Sequence, residues 1–459
     1  MAFVRRSGWK AACLGALLPL GLIATPAGAV DPTAEEALVR IFDGSVEGSP
    51  AMSGVEVVVL DQGKVVFDTA LGMATFADDG VATPLTTDHK VRIASISKLV
   101  ATVGLMQLVE AGKVNLDRDI SDYLGFSLRN PNFPDTPITL RQILSHTSSI
   151  RDGDQYWLPR GQHLRDFFTK GTELYDGGAH FAAAAGEAPG TYFTYSNLNF
   201  GVVAGVIERV SGERFDRYMA ANVLRPLGLS ASYNACDVSG PEPEHLASLF
   251  RKSRDGGDTF APDGPWHVQL DGAKVACHYG MTAIPRGERV VIEHEDFVPG
   301  DNPTLFSPQG GLRASAHDLA KVARMFLGRG EVDGVRLLKA ETVDAMWTPV
   351  WTFDRAAGNG NTTGEDDPAP GEVGPMLSYG LSVDLIDPAS WNLGPAQALG
   401  GHRGDAYGLL GLFLIDRKSD KALIALMTGF ADDPAAHKGE TPFYRPEEEM
   451  LKWWLRHFN

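Results

Sequence analysis

The chain has 459 residues, of which 44% are hydrophobic and 22% charged, a composition typical of globular proteins rather than disordered or fibrous ones. Its formal net charge is −17, with 58 acidic against 41 basic residues, and no basic patch is visible that could bind phosphates, so nucleic acid is not an expected partner. A chain of this length can bury a large core, and we expect two lobes.

The N-terminal segment, residues 1–29, is predicted to be a signal peptide. Three basic residues up to Lys10 precede an apolar run over 11–24, and Ala27-Gly28-Ala29 matches a cleavage site. Pro19 breaks the run, which is shorter than the ~20 residues that span a bilayer, so cleavage is favoured over an uncleaved anchor. Removing three basic residues and no acidic one moves the net charge from −17 to −20. We therefore expect a periplasmic or secreted chain without a membrane anchor.

Two cysteines, Cys236 and Cys277, follow that segment. In an oxidising compartment they could form a disulfide, which requires Cα atoms within ~7 Å of each other. The alternative is two buried thiols, and the sequence does not decide between them.

The first elements after the signal segment are predicted to be a helix, a hairpin and a second helix. Residues 34–42 place apolar side chains on one helical face, and two apolar runs, 55–60 and 65–68, flank a turn. A long periodic stretch from Ser95 to Gly112 is typical of a mostly buried helix. Ser95 therefore lies at a helix N-terminus.

The middle of the chain, residues 117–229, is helical in pattern and is expected to form the second lobe. Its clearest helices are predicted at 140–144, 200–210 and 215–224. Over residues 237–304 Gly, Asp and Pro replace the periodic pattern, which predicts a loop-rich segment.

The last third of the chain contains the clearest strand patterns. We predict a helix over 316–327, a mobile surface loop over 354–374, strands over 379–386, 409–416 and 421–427, and a C-terminal helix led by Pro446. The late strands suggest an antiparallel sheet.

The first motif that carries chemistry is Ser95-Ile96-Ser97-Lys98, an S-x-x-K sequence. On a helix, residues at i and i+3 share a face, so the hydroxyl and the amine come within hydrogen-bond reach. A serine hydroxyl needs a neighbour to take its proton, and a lysine does so only where burial lowers its pKa. The helix N-terminus also favours negative charge developing there.

Two further motifs lie downstream. Tyr195-Ser196-Asn197 offers a possible proton relay and an amide that could bind Lys98, although Ser196 and Asn197 would also suit capping the following helix. His402-Arg403-Gly404 is predicted on an edge strand whose glycines let a ligand approach the backbone. His278-Tyr279-Gly280 is a competing H-x-G, but no strand signal follows it.

These three motifs, in this order and at roughly these separations, resemble the class C β-lactamases, D-alanyl-D-alanine carboxypeptidases and related esterases. The stretches 112–124, 143–148, 195–229 and 308–315 are also similar to that family. The likeness covers most of the chain from about residue 33 onwards, and the chain is identified as a member of this family.

The resemblance implies an α/β (α+β) fold, an antiparallel sheet flanked by helices with an inserted helical lobe. Residues 30–115 and 305–459 would form the α/β domain, and 116–304 the helical lobe with its loop-rich insertion. Ser95 would be the nucleophile, Lys98 and Tyr195 would share proton transfer, and Asn197 would position the substrate. The backbone N–H groups of Ser95 and Asp405 would form the oxyanion hole.

Two residues depart from the family pattern. His402 stands where true β-lactamases of this type carry lysine, while histidine occurs in some peptidase and esterase branches. Asp405 is acidic where the family usually has a small residue, and a carboxylate facing the oxyanion would oppose the charge forming there. Because successive strand residues face opposite sides, Arg403 should point away from the cleft if His402 points into it.

The sequence therefore predicts an exported serine hydrolase for an ester or amide, including peptidoglycan-like substrates. Esterase or D-amino-acid peptidase activity is favoured over true β-lactamase activity. The alternative is a catalytically weak penicillin-binding or scaffolding relative, although a pure binder would not need Lys98. No metal or other cofactor is expected, because the twelve histidines are scattered rather than clustered. The oligomeric state is not predicted.

Overall fold

The computed structural model describes residues 32–76, 81–158, 161–238, 246–272, 297–365 and 368–458. The predicted signal peptide and Cys277 lie outside these residues, as do the side chain of Cys236 and the competing motif at His278. The cleavage and disulfide predictions therefore stay predictions.

Helices and strands are interspersed along the described chain. The strands are β1 Met52–Asp61, β2 Lys64–Thr75, β3 Thr83–Pro84, β4 Val91–Arg92, β5 Phe193–Thr194, β6 Leu249–Lys252, β7 Trp266–Leu270, β8 Arg313–Ala314, β9 Glu331–Val332, β10 Val335–Arg336, β11 Trp351–Thr352, β12 Gly360–Asn361, β13 Ser378–Tyr379, β14 Asp384–Ile386, β15 Leu399–Ala406, β16 Leu409–Asp416 and β17 Lys421–Phe430. The α-helices are α1 Pro32–Phe42, α2 Ile96–Glu110, α3 Ser121–Leu124, α4 Leu140–Leu144, α5 Leu198–Ser211, α6 Phe215–Met219, α7 Ala235–Val238, α8 Ala316–Leu327, α9 Ala340–Trp347 and α10 Arg445–His457.

The main sheet is built from both ends of the described chain. Its strand order is β11-β13-β14-β15-β16-β17-β1-β2-β3, and neighbours along this path pair antiparallel. The early strand β1 therefore lies between the late strand β17 and its own hairpin partner β2. This confirms the predicted fold class, an antiparallel sheet with helices around it.

Strand β1 shows how the sequence covers both faces of the sheet. Val57 and Val59 pack in the cluster that contains residues of α1 and α10, whereas Val58 and Leu60 pack in the cluster that contains α2 and α8. Because side chains alternate between faces, a strand covered on both sides needs apolar residues at successive positions, and β1 has them from Val57 to Leu60. Helices lie on both faces.

Helix α2 is buried nearly all round, with twelve of its fifteen residues in the interior. It contacts helix α5 and strand β15. An apolar helix of this kind is held by tertiary packing, which fixes Ser95 at its N-terminal end. Among the described helices, none is long and apolar enough to cross a membrane.

The segment predicted as loop-rich, residues 237–304, requires a correction. Within its described part, β6 and β7 form a hairpin that joins the main sheet where Arg251 pairs with Phe430. The alternation of apolar and polar residues in β7 spans only five positions and lies between Pro, Asp and Gly residues, so the surrounding sequence is typical of a loop. The division of the chain into domains at residues 115 and 304 stays a proposal.

Two other element predictions are corrected near the site. The strand predicted over 379–386 is two short strands, β13 and β14, separated by a turn in which Ser382 has φ +59°. Strand β15 is not an edge strand, because β14 and β16 flank it. However, β14 pairs only with residues up to Gly401, so the segment from His402 onwards extends past the end of its short neighbour.

Candidate active site

The site begins where α2 starts. Ser95 is the N-cap residue, and Ala94 before it has φ +48°, a left-handed conformation that is unusual for alanine. Strain of this kind persists only where the surroundings impose it, and here it directs the turn that presents Ser95. Lys98 follows one turn later and is fully buried.

The Lys98 amine lies among three oxygen atoms. Its Nζ is 2.9 Å from Ser95 Oγ, 2.8 Å from Asn197 Oδ1 and 2.9 Å from the carbonyl oxygen of Gln309. Asn197 Oδ1 and the Gln309 carbonyl can only accept hydrogen bonds. A neutral amine has two N–H bonds and one lone pair, so these two acceptors occupy the N–H bonds and the lone pair faces the Ser95 hydroxyl. This is the arrangement that a general base requires.

Burial makes the neutral amine accessible near physiological pH. It lowers the pKa of Lys98 to about 7, and the negative charge of Asp152 partly opposes the change. Lys98 can therefore take a proton from Ser95 and release it again at neutral pH.

Tyr195 lies beside this pair, between β5 and α5. Its ring centroid is 4.8 Å from Lys98 Nζ, and the ring stacks on that of His146 with the centroids 4.4 Å apart. Among the described residues, no group completes a hydrogen bond of good geometry to the buried Tyr195 hydroxyl. Burial raises the pKa of Tyr195, and the nearby Ser95 hydroxyl opposes this only partly, so Tyr195 is a phenol that can pass a proton.

Asn197 does not cap the helix that follows it. Its side chain makes no capping bond and instead bridges Lys98 and Asp152, to which Asn197 Nδ2 donates at 2.8 Å. Sequence reasoning missed Asp152. It lies in the loop after α4, where no pattern singles it out from its neighbour Asp154.

His402 is buried and held as the neutral imidazole. Its Nδ1 is 2.6 Å from the backbone carbonyl oxygen of Arg403, and its Nε2 is 2.9 Å from the Tyr379 hydroxyl. A carbonyl only accepts, so Nδ1 carries the proton and Nε2 accepts from Tyr379. Burial lowers the pKa of His402 to about 3, and the positive charge of Lys98 contributes. Tyr379, the partner that fixes this state, was also missed from the sequence.

Arg403 reaches toward α10 and also borders the cavity. Its Nε donates to Asp384 Oδ2 at 3.3 Å, and its Nη1 lies 3.9 Å from Glu447 Oε2 in the first turn of α10. Its guanidinium carbon lies 5.3 Å from the centroid of the Phe443 ring. The guanidinium is thus engaged by two buried carboxylates rather than free to receive a substrate carboxylate.

Gly404 lets β15 approach the nucleophile. A Cβ at this position would lie 2.6 Å from the carbonyl oxygen of Ile93, so only glycine allows the strand to pack there. The next residue, Asp405, reaches the cavity. Desolvation of its carboxylate and the nearby charge of Glu447 raise the pKa of Asp405 to about 7, although the residue as a whole is exposed.

One cavity of about 290 Å³ joins these residues. Its lining includes Ser95, Tyr195, Asn197, His402, Gly404 and Asp405, with Lys98 directly behind Ser95. The structure thus brings every predicted site residue to one place. One wall comes from residues 363–365, 372 and 374–376, in and just after the predicted loop 354–374, whose strand β12 pairs with β5.

The cavity wall is rich in carboxylates. Glu365, Glu372, Asp384, Asp405 and Glu447 line it, and the cations in the lining are Arg92, Arg403 and Lys438. Arg403 is paired with Asp384 and Glu447, and Lys438 lies 3.4 Å from Glu365. The lining thus holds five acidic side chains against three basic ones.

Comparison with known proteins places this geometry in context. The family profile described as Beta-lactamase matches residues 39–441. The D-alanyl-D-alanine-carboxypeptidase/endopeptidase AmpH of Escherichia coli (strain K12) is 32% identical over 221 residues, 48% of this chain and 54% of AmpH. Esterase EstB of Burkholderia gladioli is 26% identical over 268 residues, 52% of this chain and 64% of EstB. The chain thus spans about half the length of AmpH.

A solved structure shares the fold. The D-amino acid amidase from Ochrobactrum anthropi SV3 superimposes with a TM-score of 0.58 at 17% identity, over 92% of this chain and 98% of that one.

Proposed function

Since this chain belongs to the beta-lactamase family, we propose that it is an exported serine hydrolase that cleaves an ester or amide through an acyl-enzyme on Ser95. The observation that carries the proposal is the contact of 2.9 Å between Lys98 Nζ and Ser95 Oγ, with the remaining bonds of the amine occupied by acceptors. The named relatives include a carboxypeptidase and an esterase, which supports hydrolysis of an acyl bond.

In the proposed first step, Ser95 Oγ attacks the substrate carbonyl carbon while its proton passes to the lone pair of Lys98. The carbonyl double bond opens, and the negative charge gathers on its oxygen, where the N–H groups of Ser95 and Asp405 would stabilise it. The intermediate then collapses, the bond to the leaving group breaks, and the leaving group takes a proton by way of Tyr195. Water repeats the sequence and releases the acid from Ser95.

The substrate proposal follows from the charges around the cavity. His402 is neutral and bonded to Tyr379, Arg403 is held by two carboxylates, and the wall is acidic. Arg403 and Lys438 lie against carboxylates, and the third lining cation, Arg92, is buried and donates to the Gly310 carbonyl oxygen and to Ser307 Oγ. We therefore favour neutral esters or amides, including D-amino-acid derivatives, over β-lactams.

The proposal is tested by intact-protein mass spectrometry after exposure to a fluorophosphonate and, separately, to a β-lactam. We expect stoichiometric addition of the fluorophosphonate to the wild-type protein and none to Ser95→Ala. Slow or absent addition of the β-lactam is expected. A wild-type chain that neither reagent modifies would support the alternative, a penicillin-binding or scaffolding relative that has lost catalysis.

A further inference from the structure

Asp152 holds three consecutive residues, the last two of the second motif and Leu198 after them. Its Oδ1 accepts from Ser196 Oγ at 2.8 Å and from the backbone N–H of Leu198 at 2.8 Å, while its Oδ2 accepts from Asn197 Nδ2 at 2.8 Å. We propose that Asp152 is a positioning residue, which orients the Asn197 amide and thereby directs the lone pair of Lys98 at Ser95. The inference rests on the proposed function, because it assigns a task within the same site.

The N-terminus of α5 is bonded to Asp152. The N–H groups of the first helical turn need partners, and a residue such as Asn197 at the N-cap ordinarily supplies one. Here Asn197 supplies none, and the carboxylate of Asp152 accepts from Leu198 N–H from outside the helix. Asp152 thus takes over the capping task and leaves the Asn197 side chain available to Lys98.

The contact with Asp152 also fixes the orientation of the Asn197 side-chain amide. An amide has a donor end and an acceptor end, whereas an ionised carboxylate only accepts. The contact with Asp152 therefore requires Asn197 Nδ2 on that side and Oδ1 on the side of Lys98. If the amide turned over, its NH₂ group would face the Lys98 amine, and donor would oppose donor.

The orientation of the Asn197 amide in turn determines the direction of the Lys98 lone pair. With Asn197 Oδ1 and the Gln309 carbonyl as its two acceptors, a neutral Lys98 has its lone pair left for Ser95. Without the first acceptor, an N–H bond of Lys98 could turn toward Ser95 instead, and the base would be misdirected. The negative charge of Asp152 acts in addition, because it raises the pKa of Lys98 against the effect of burial.

The test compares Asp152→Asn with Asp154→Asn. Both remove one negative charge from the same loop, but Asp154 is exposed and has no part in the site. In Asp152→Asn the new NH₂ group competes with Asn197 Nδ2, so the Asn197 amide should turn over. We expect kcat to fall at least tenfold with KM nearly unchanged, and Asp154→Asn to match the wild type.

The pH profile separates positioning from a merely structural role. Loss of the Asp152 charge should lower the pKa of Lys98, so the acidic limb of kcat/KM should move to lower pH by roughly half a unit or more. The double variant Asp152→Asn, Asn197→Asp restores a donor and acceptor pair with a carboxylate beside Lys98. It should regain part of the lost activity and move the limb above its wild-type position.

Two outcomes would overturn the inference. One is a wild-type chain that reacts with fluorophosphonate while Asp152→Asn keeps its activity. The other is an Asp152→Asn variant that is less active but keeps the acidic limb of its kcat/KM profile at the wild-type pH, while the double variant regains no activity. A wild-type chain that fails to react at Ser95 would instead count against the proposed function itself. If Asp152→Asn is too unstable to assay, the position of the limb in the double variant decides.

Discussion

Lys98 is enclosed by oxygen acceptors and aromatic rings, and this enclosure defines the pH range in which it can act. The active form is the neutral amine, so activity should rise with pH through a midpoint at about 7 and be lost below it. The measurement is kcat/KM for an aryl ester from pH 5 to 9. A midpoint near the ordinary lysine value of about 10 would contradict a buried base at Ser95.

Lys98 and Tyr195 are expected to act on the same proton, and this makes their loss non-additive. Ser95→Ala should abolish hydrolysis while leaving the unfolding temperature nearly unchanged, because it removes the nucleophile and little packing. Lys98→Ala and Tyr195→Phe should each lower the rate of hydrolysis about as much as the double variant does. Kinetics of the two single variants and the double variant measure this, and independent, additive losses would rule out a shared proton.

His402 determines the expected response to β-lactams. A charged lysine at this position would attract the carboxylate of a β-lactam, but the pKa of His402 is lowered to about 3, so it is neutral throughout the assay range. We expect slow β-lactam turnover and faster hydrolysis of short-chain aryl esters. A cephalosporin kcat/KM above roughly 10⁵ M⁻¹s⁻¹ would show that another group binds the carboxylate.

At Gly404, strand β15 packs closely against the chain just before Ser95. In Gly404→Ala the added methyl group would lie 2.6 Å from the Ile93 carbonyl oxygen, so β15 must move away from the turn that carries Ser95. We expect kcat to fall tenfold or more, because the Asp405 N–H would leave its place in the oxyanion hole.

Gly186→Ala is the matched control, because its added methyl group would meet nothing within 4 Å. It should keep the wild-type kcat. Equal activity of the two alanine variants would show that Asp405 does not depend on the close approach of β15.

Elements whose signals are local were predictable. Helix α8 has the predicted bounds, because Ser315 and Asp318 form a capping box at its start and its apolar face is regular. The hairpin of β1 and β2 was also predicted, from two apolar runs around a turn. Elements held by distant partners were not predictable in this way: β6 is fixed by pairing with β17 and β7 rather than by its own pattern.

The same distinction holds within the site. Ser95 and Lys98 are one helical turn apart, so their contact follows from spacing alone. The roles of Asp152 and Tyr379 depend on contacts with residues more than twenty positions away, Leu198 and His402. No local pattern marks such partners, and only the folded chain brings them together.

At the scale of the whole molecule, the proposed reaction depends on no Lewis acid. Among the described residues, no group of three or more potential metal ligands is found. Prolonged treatment with EDTA, followed by dialysis, should leave kcat and KM unchanged. Loss of activity that zinc restores would overturn the mechanism built on Ser95 and Lys98.

The central position of β1 has a consequence for how the chain folds. The Ser53 hydroxyl donates to the Thr428 carbonyl, and these residues are 375 positions apart along the chain. Chain entropy opposes such a closure until many other contacts exist, and topologies rich in distant pairings fold slowly. During synthesis, the β1 edge of the β1–β2 hairpin stays unpaired until the chain has been made as far as β17, and an unpaired apolar edge is prone to aggregation.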